Sequence, residues 1–138
     1  MIMNFMISIG VSMFKKAICI DFDGVIHRYD RGWDKGKIGE PMPGAFEFLK
    51  SLCDCEDFEV MIYSSRSCKA HRLAAMKNWF KERYPYANGD GTLPFKFPRE
   101  KPPAWLTIDD RAFKFEGVFP TTEEIRNFTP WRYRPDDN

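Results

Sequence analysis

The feature that most constrains this chain is an apolar run at residues 17–25 that carries two acids, Asp21 and Asp23, and then Gly24. A short apolar stretch rich in β-branched residues and followed by a turn residue is typical of a central strand. Side chains two apart project to one face of a strand, and Gly24 lets the backbone turn just after them. Two acids beside a buried strand repel each other unless a cation lies between them. Oxygen ligands favour a hard cation, so the run predicts a Mg²⁺ site at the end of this strand.

Length and composition predict one globular domain. The chain has 138 residues, of which 43% are hydrophobic and 30% are charged, a balance that supports one hydrophobic core. We expect that core domain at residues 14–131 and a polar tail at 132–138. Residues 1–13 are apolar and predict a flexible or loosely packed extension; the alternative is that Met1 is an upstream start codon and that Met13 is the natural beginning. They lack the basic beginning and cleavage site of a signal peptide and are too short to span a bilayer.

The net charge and the cysteines limit which partners and which cellular compartment we expect for this protein. The net charge of +1 does not indicate a nucleic-acid or membrane-surface protein, although a local basic groove stays open. The four cysteines do not have the paired spacing of a zinc site, and Cys19 falls within the predicted strand. We expect reduced thiols, a cytoplasmic protein and no membrane partner.

Hydrophobic periodicity predicts strands that alternate with helices along the chain. The predicted strands are residues 17–20, 58–63 and 105–108, with short candidates at 93–97 and 115–119, and the predicted helices are 44–53, 70–84 and 120–128. Such alternation implies an α/β fold with a mainly parallel sheet and helices on both faces, a three-layer Rossmann-like sandwich. We expect Trp79, Phe80, Trp105 and Phe119 in its core, and an irregular flap at residues 27–39.

Polar side chains follow all three predicted strands. Asp21 and Asp23 follow the first strand, residues 64–66 (Ser-Ser-Arg) follow the second, and residues 109–111 (Asp-Asp-Arg) follow the third. In parallel sheets the functional site lies at the carboxyl ends of the strands. The sequence therefore predicts acids, hydroxyls and cations at one edge of the sheet.

These motifs resemble those of the haloacid dehalogenase superfamily. Residues 21–25 are similar to its first motif, DxDG[TV], Ser64 is similar to the second, and Lys101 followed by residues 108–110 is similar to the third and fourth. The resemblance extends from about residue 16 to residue 111. The Ser-x-Arg and Asp-Asp-Arg forms look most like small phosphatases of the polynucleotide 3′-phosphatase and deoxynucleotidase kind, and residues 101–112 resemble small uncharacterised members of phages and bacteria. The intervals between motifs are too short for a large cap domain, which implies an open site.

The resemblance implies a Mg²⁺-dependent phosphatase that forms an aspartyl-phosphate. Asp21 would be the nucleophile, and Asp23 would protonate the leaving group and then activate water, which requires a moderately raised pKa. Ser64 and Lys101 would bind the phosphoryl oxygens, with Ser65 and Lys96 as the alternatives for these roles. The implied metal ligands are Asp21, Asp23 through its backbone carbonyl, Asp110 and, at the margin, Asp109.

The substrate and several roles stay open. Ser65 and Arg66 are the predicted substrate contacts, although Arg66 in a surface ion pair is an equal alternative. His27 is predicted to be a solvated flap residue rather than an acid–base group. We expect a phosphorylated small molecule or a nucleic-acid end as substrate, and an open cleft is compatible with a homo-oligomer that covers it. The alternative functions are a non-catalytic phosphate- or nucleic-acid-binding module and a phosphotransferase.

Overall fold

The computed structural model describes residues 15–134 and shows an α/β fold with a small parallel sheet. The strands are β1 (Lys16–Ile20), β2 (Phe58–Ile62) and β3 (Leu106–Ile108), in the order β2-β1-β3. Both outer strands run parallel to β1. The carboxyl ends of all three strands therefore lie at one edge, as the sequence predicts.

The helices are α1 (Ala45–Cys53), α2 (Ala70–Arg83) and α3 (Thr122–Arg126), and a short 3₁₀ turn at Ser65–Cys68 comes after β2. The bounds of α1 and α2 lie within one residue of the predicted ones. Helix α3 lies inside the predicted range 120–128 and is two residues shorter at each end. Thr121 caps it, because the Thr121 hydroxyl accepts a hydrogen bond from the Glu124 amide at 3.1 Å.

Two short strand candidates differ from the prediction. Residues 115–119 form no strand, so that prediction is wrong. Residues 93–97 contribute only an isolated bridge, in which Lys96 pairs with Met61 beside β2. In this second segment Leu93, Phe95 and Phe97 pack on the core, but only Lys96 exchanges backbone hydrogen bonds with β2, so the segment adds a single bridge rather than a strand.

The hydrophobic core lies on one face of the sheet, beneath α1 and α2. The register places Ile18 beside Val60 and Ile20 beside Ile62, and all four side chains are buried. Both long helices pack on these residues through the buried Leu49, Met76, Trp79 and Phe80. The side chains that alternate with them along β1 and β2, among them Cys19 and Met61, project to the other face of the sheet. Helix α3 buries none of its residues, so the three-layer arrangement stays a prediction.

The four predicted core aromatics divide into two pairs. Trp79 and Phe80 are 3% and 0% exposed and confirm the prediction, whereas Trp105 and Phe119 are 61% and 81% exposed, so the prediction is wrong for them. Trp105 precedes the edge strand β3, and its ring lies 4.4 Å from the Lys16 ammonium instead of under a helix. Large aromatic side chains at an edge are buried only when a further layer covers them, and residues 15–134 supply none there.

The structure describes part of the predicted tail and none of the predicted extension. The extension at residues 1–13 and the last four residues of the predicted tail lie outside the described residues. Residues 132–134 have no regular secondary structure. Within residues 15–134, each helix falls short of the length and apolar character that crossing a bilayer requires.

Candidate active site

Three carboxylates meet at the carboxyl edge of the sheet. Asp21 follows β1, and Asp109 and Asp110 follow β3. The two strands stay paired up to this point, since the Asp21 amide donates to the Ile108 carbonyl at 2.9 Å. One oxygen from each of the three carboxylates lies within 4.8 Å of the others. We call these three residues the acid cluster; it brings together the three predicted side-chain ligands, and the fourth predicted ligand, the Asp23 backbone carbonyl, stays a prediction.

Two members of the acid cluster have raised pKa values. Burial, followed by the negative charge of Asp109, raises the pKa of Asp21 from its ordinary 3.8 to about 8. Burial also raises the pKa of Asp110. In addition, Oδ1 of Asp110 is buried and finds no hydrogen-bond partner among residues 15–134. This oxygen lies beside two further carboxylates. Three carboxylates placed in this way form a set of oxygen ligands that fits a hard divalent cation such as Mg²⁺.

Gly24 gives Asp110 the space to reach this cluster. A Cβ atom built on Gly24 would lie 2.6 Å from Oδ2 of Asp110, and its φ of +83° is one that other residues rarely adopt. Any side chain at this position would displace the Asp110 carboxylate. The glycine of the first motif is therefore explained by the acid at the end of a different strand.

Asp23 lies in a separate hydrogen-bond network. Its carboxylate accepts from Arg66 Nε at 3.0 Å and from the Ser64 hydroxyl at 3.2 Å, and Arg66 Nη2 lies 2.9 Å away. Its Oδ1 is 2.6 Å from His27 Nε2. Burial opposes the charge of Asp23, but the hydrogen bonds from His27 and Arg66 outweigh burial and lower its pKa. This direction is opposite to the raised pKa that the predicted acid–base role requires.

The same network fastens the flap to the core. The Gly39 amide donates to His27 Nδ1 at 3.0 Å, so the ring proton is on Nε2, which donates to Asp23. Arg66 donates to the flap carbonyls of Gly36 at 2.8 Å and Lys37 at 3.4 Å. His27 is 0% exposed. The prediction of a solvated His27 is therefore wrong, because the flap folds back and covers the ring.

Arg66 is placed differently from the substrate contact that the sequence favours. Its side chain is 1% exposed, and its guanidinium donors are directed to Asp23 and to the flap. Its planar group also lies 4.8 Å from the Trp33 ring. We therefore interpret Arg66 as a residue that positions Asp23 and the flap.

A small cleft of about 170 Å³ adjoins the acid cluster. It is lined by Cys19, Asp21, Tyr63, Ser64, Ser65, Lys101, Thr107 and Asp109. Lys101 thus shares a cleft with the candidate nucleophile. Lys96, the alternative to it, forms an ion pair with Glu59 and lines a different surface depression.

The two candidate serines have different environments. Ser64 is 3% exposed, and its hydroxyl both donates to Asp23 and accepts the Arg66 amide at 3.2 Å. Ser65 is exposed and borders the same cleft. The structure therefore directs the Ser64 hydroxyl to Asp23 and leaves Ser65 at the opening.

Sequence reasoning missed Tyr63, Thr107 and the buried role of His27. The alternation of side chains along a strand could have identified Tyr63 and Thr107. Thr107 pairs with Cys19 in the register, and Tyr63 is two residues after Met61, which also pairs with Cys19. Both side chains therefore project to the face of Asp21. For His27, the only signal is its spacing of four from Asp23.

Comparison with protein-family models, with curated proteins and with solved structures finds no match to this chain. The family resemblance accordingly depends on the motif residues themselves. Any activity must therefore be inferred from these residues and from the site that they form.

Proposed function

We propose that this protein is a Mg²⁺-dependent phosphatase that hydrolyses a phosphate monoester through an aspartyl-phosphate on Asp21. The proposal includes a capless haloacid dehalogenase-like fold of the three-layer Rossmann-like type, in the cytoplasm. The observation that carries it is the acid cluster, with its orphaned Asp110 oxygen, beside a cleft that also contains Lys101. Phosphoryl transfer depends mainly on positioning and on charge stabilisation, and these residues supply both.

Asp21 performs the covalent step. Its carboxylate oxygen attacks phosphorus in line, the new oxygen–phosphorus bond forms, and the ester oxygen departs with the electron pair of the broken bond. Water then attacks the phosphorus of the aspartyl-phosphate, which frees Asp21 and releases inorganic phosphate. Bound Mg²⁺, held by Asp21, Asp109 and Asp110, would supply the positive charge that keeps these carboxylates ionised and offsets the charge of the phosphoryl oxygens.

The phosphoryl group is bound by residues that line the cleft. The Lys101 ammonium attracts the phosphoryl oxygens, and the Ser65 hydroxyl donates to them from the opening. Ser64, whose hydroxyl bonds to Asp23, links this region to the flap network. We expect Lys101→Met to raise the KM for a phosphate ester about tenfold or more, whereas Lys96→Met leaves it unchanged.

Asp23 remains the candidate acid–base residue, but its environment favours the role of base over that of acid. With its pKa lowered by its neighbours, Asp23 is ionised at neutral pH, so it can accept a proton from the attacking water. To donate a proton to the leaving group, Asp23 must first be protonated, and its hydrogen bonds with Arg66 and His27 disfavour that protonated form. The arrangement is therefore best suited to esters whose leaving group departs without protonation. An aryl phosphate should be hydrolysed faster than an alkyl phosphate.

We favour a nucleotide or a polynucleotide end as the natural substrate, because the cleft is small and borders open surface. Such an alkyl ester should be hydrolysed more slowly than an aryl phosphate, since its leaving group must be protonated. The lowered pKa of Asp23 also favours a second candidate function, a phosphate-binding module without turnover. A phosphotransferase differs only in the acceptor of the second step.

The deciding experiment measures phosphate release from aryl phosphates, nucleoside monophosphates and 3′-phosphorylated oligonucleotides, with Mg²⁺ or with a chelator. Asp21→Asn should abolish release while the circular dichroism spectrum is unchanged, and Asp34→Asn in the flap serves as the matched control. Release that survives in Asp21→Asn contradicts the mechanism. Wild-type inactivity together with measurable binding of these esters supports the binding module, and transfer of phosphate to added alcohols identifies a phosphotransferase.

A further inference from the structure

Large hydrophobic side chains are exposed mainly in one part of the chain. In the described range, twelve such residues are exposed, and nine of them fall between residues 105 and 131. Their exposed fractions run from 47% to 81%. We call them the C-terminal apolar surface: Trp105, Leu106, Phe113, Phe115, Val118, Phe119, Ile125, Phe128 and Trp131.

Several of these side chains are in mutual proximity. The rings of Phe115 and Phe119 are 4.9 Å apart between centroids. Phe113, Ile125 and Phe128 line one groove of about 310 Å³. Five of the nine side chains therefore lie in these two groups.

The exposed area matches what a stable dimer requires. An aromatic side chain has about 150–250 Å² to bury, so the six aromatic residues at their observed exposures present roughly 700 Å². The largest apolar patch of an ordinary monomer is about 300–600 Å². A standard interface buries about 800 Å² on each partner. With the three aliphatic residues added, the surface reaches the size of an interface.

The edge strand β3 adds a second feature of an interface. Within residues 15–134, β3 pairs only with β1, so its other edge offers unpaired backbone groups. Leu106 on this strand is 47% exposed and belongs to the same surface. Free edges that carry apolar side chains are sites where another strand is added.

The charges on this segment favour a second copy over a charged partner. Apart from the acid cluster, it carries three cations and three anions, which are Arg111, Lys114, Arg126, Glu116, Glu123 and Glu124. Some of these charges already pair within the segment, as Arg126 does with Glu123 at 3.2 Å. A balanced surface does not attract a nucleic acid or an anionic bilayer, and it does not repel a copy of itself.

We propose that the C-terminal apolar surface is a homodimer interface, in which two copies of this chain bury the same residues across a twofold axis. An interface of this kind is self-complementary, so one surface suffices for both partners. Because Asp109 and Asp110 directly follow β3, each acid cluster then lies beside the interface. The inference is independent of the proposed phosphatase activity.

The test is the mass of the full chain in solution, measured by light scattering and sedimentation from about 1 to about 100 μM. We expect a species of twice 16.2 kDa. Phe119→Asp should weaken association by about 30-fold or more, as expected for a central aromatic anchor. Phe48→Asp is the matched control, since Phe48 is 40% exposed on α1 and outside this surface, and it should leave the dimer intact.

Two results would overturn the proposal: a wild-type protein that stays monomeric at every concentration, or a folded Phe119→Asp variant that dimerises as strongly as wild type. A monomeric wild type that sediments with lipid vesicles would assign the surface to a membrane instead. Circular dichroism establishes that each variant is folded. If Phe119→Asp does not fold, Val118→Asp at 77% exposure replaces it with the same expected outcome.

Discussion

Replacing Asp21 with asparagine tests the acid cluster without any assay of catalysis. Asparagine keeps the shape of the side chain and removes one of the three clustered charges. The pKa of Asp21 rises from 3.8 to about 8 on folding, mainly through burial and then through the charge of Asp109. Between these values the unfolded chain binds fewer protons than the folded one. The stability of the metal-free protein should therefore fall as pH rises through this window.

The size of the effect follows from the same shift. One pKa unit corresponds to about 1.4 kcal/mol, so the full shift sets an upper limit of about 5–6 kcal/mol. The three carboxylates share protons and remain partly in contact with solvent, which reduces this limit. We expect metal-free Asp21→Asn to be about 2–3 kcal/mol more stable than wild type near pH 8. Below about pH 4 the two proteins should be equally stable, because Asp21 is then protonated.

The assay is urea unfolding of both proteins at several pH values, in a chelator and in Mg²⁺. Mg²⁺ at about ten times its Kd should stabilise wild type by about 1.4 kcal/mol near pH 8, and it should stabilise the variant much less. Glu82→Gln removes an exposed acid from α2 and should change stability by no more than about 0.5 kcal/mol. The reasoning is refuted if Asp21→Asn is less stable than metal-free wild type near pH 8, or if Mg²⁺ stabilises both equally.

Two further substitutions test the surroundings of the site. Gly24→Ala places a Cβ 2.6 Å from a carboxylate oxygen of the acid cluster, so Mg²⁺ binding measured by calorimetry should weaken about tenfold or more. Gly44→Ala has the same positive φ but open space around it, and it should lose stability without losing Mg²⁺ affinity. Arg66→Gln leaves the partly buried Asp23 without its ion pair and should lower the free energy of unfolding by about 3 kcal/mol. Arg72→Gln, whose guanidinium is also 4.8 Å from Trp33, should have a much smaller effect. An equal loss in the two arginine variants would contradict the assigned role of Arg66.

The sequence predicts the acid cluster well, for a simple geometric reason. Hydrophobic runs locate β1 and β3, and parallel pairing makes their carboxyl ends adjacent, so Asp21 and Asp110 must converge. The same period-2 rule would have placed Thr107 in the cleft. Local capping chemistry likewise locates the start of α3 at Thr121.

The environment of Asp23 could not be predicted in this way. Its pKa depends on Arg66, which is 43 residues away in sequence, and on a histidine that becomes buried only when the flap folds back. The exposure of Trp105 and Phe119 is a similar case. Hydrophobicity indicates that a side chain favours burial, but it does not show whether another segment of the same chain packs over that side chain.

The fastened flap has a consequence for how a substrate of the proposed phosphatase would reach Asp21. Its backbone is held at Gly36 and Lys37 by Arg66, and at Gly39 by His27 and by the Trp79 indole N–H at 3.0 Å. Moving this loop would break several buried hydrogen bonds at once. None of the flap residues 27–39 lines the cleft beside Asp21, so a substrate of the proposed phosphatase would enter without displacing this loop, and the choice among phosphate esters would rest on the size and shape of the group next to phosphorus.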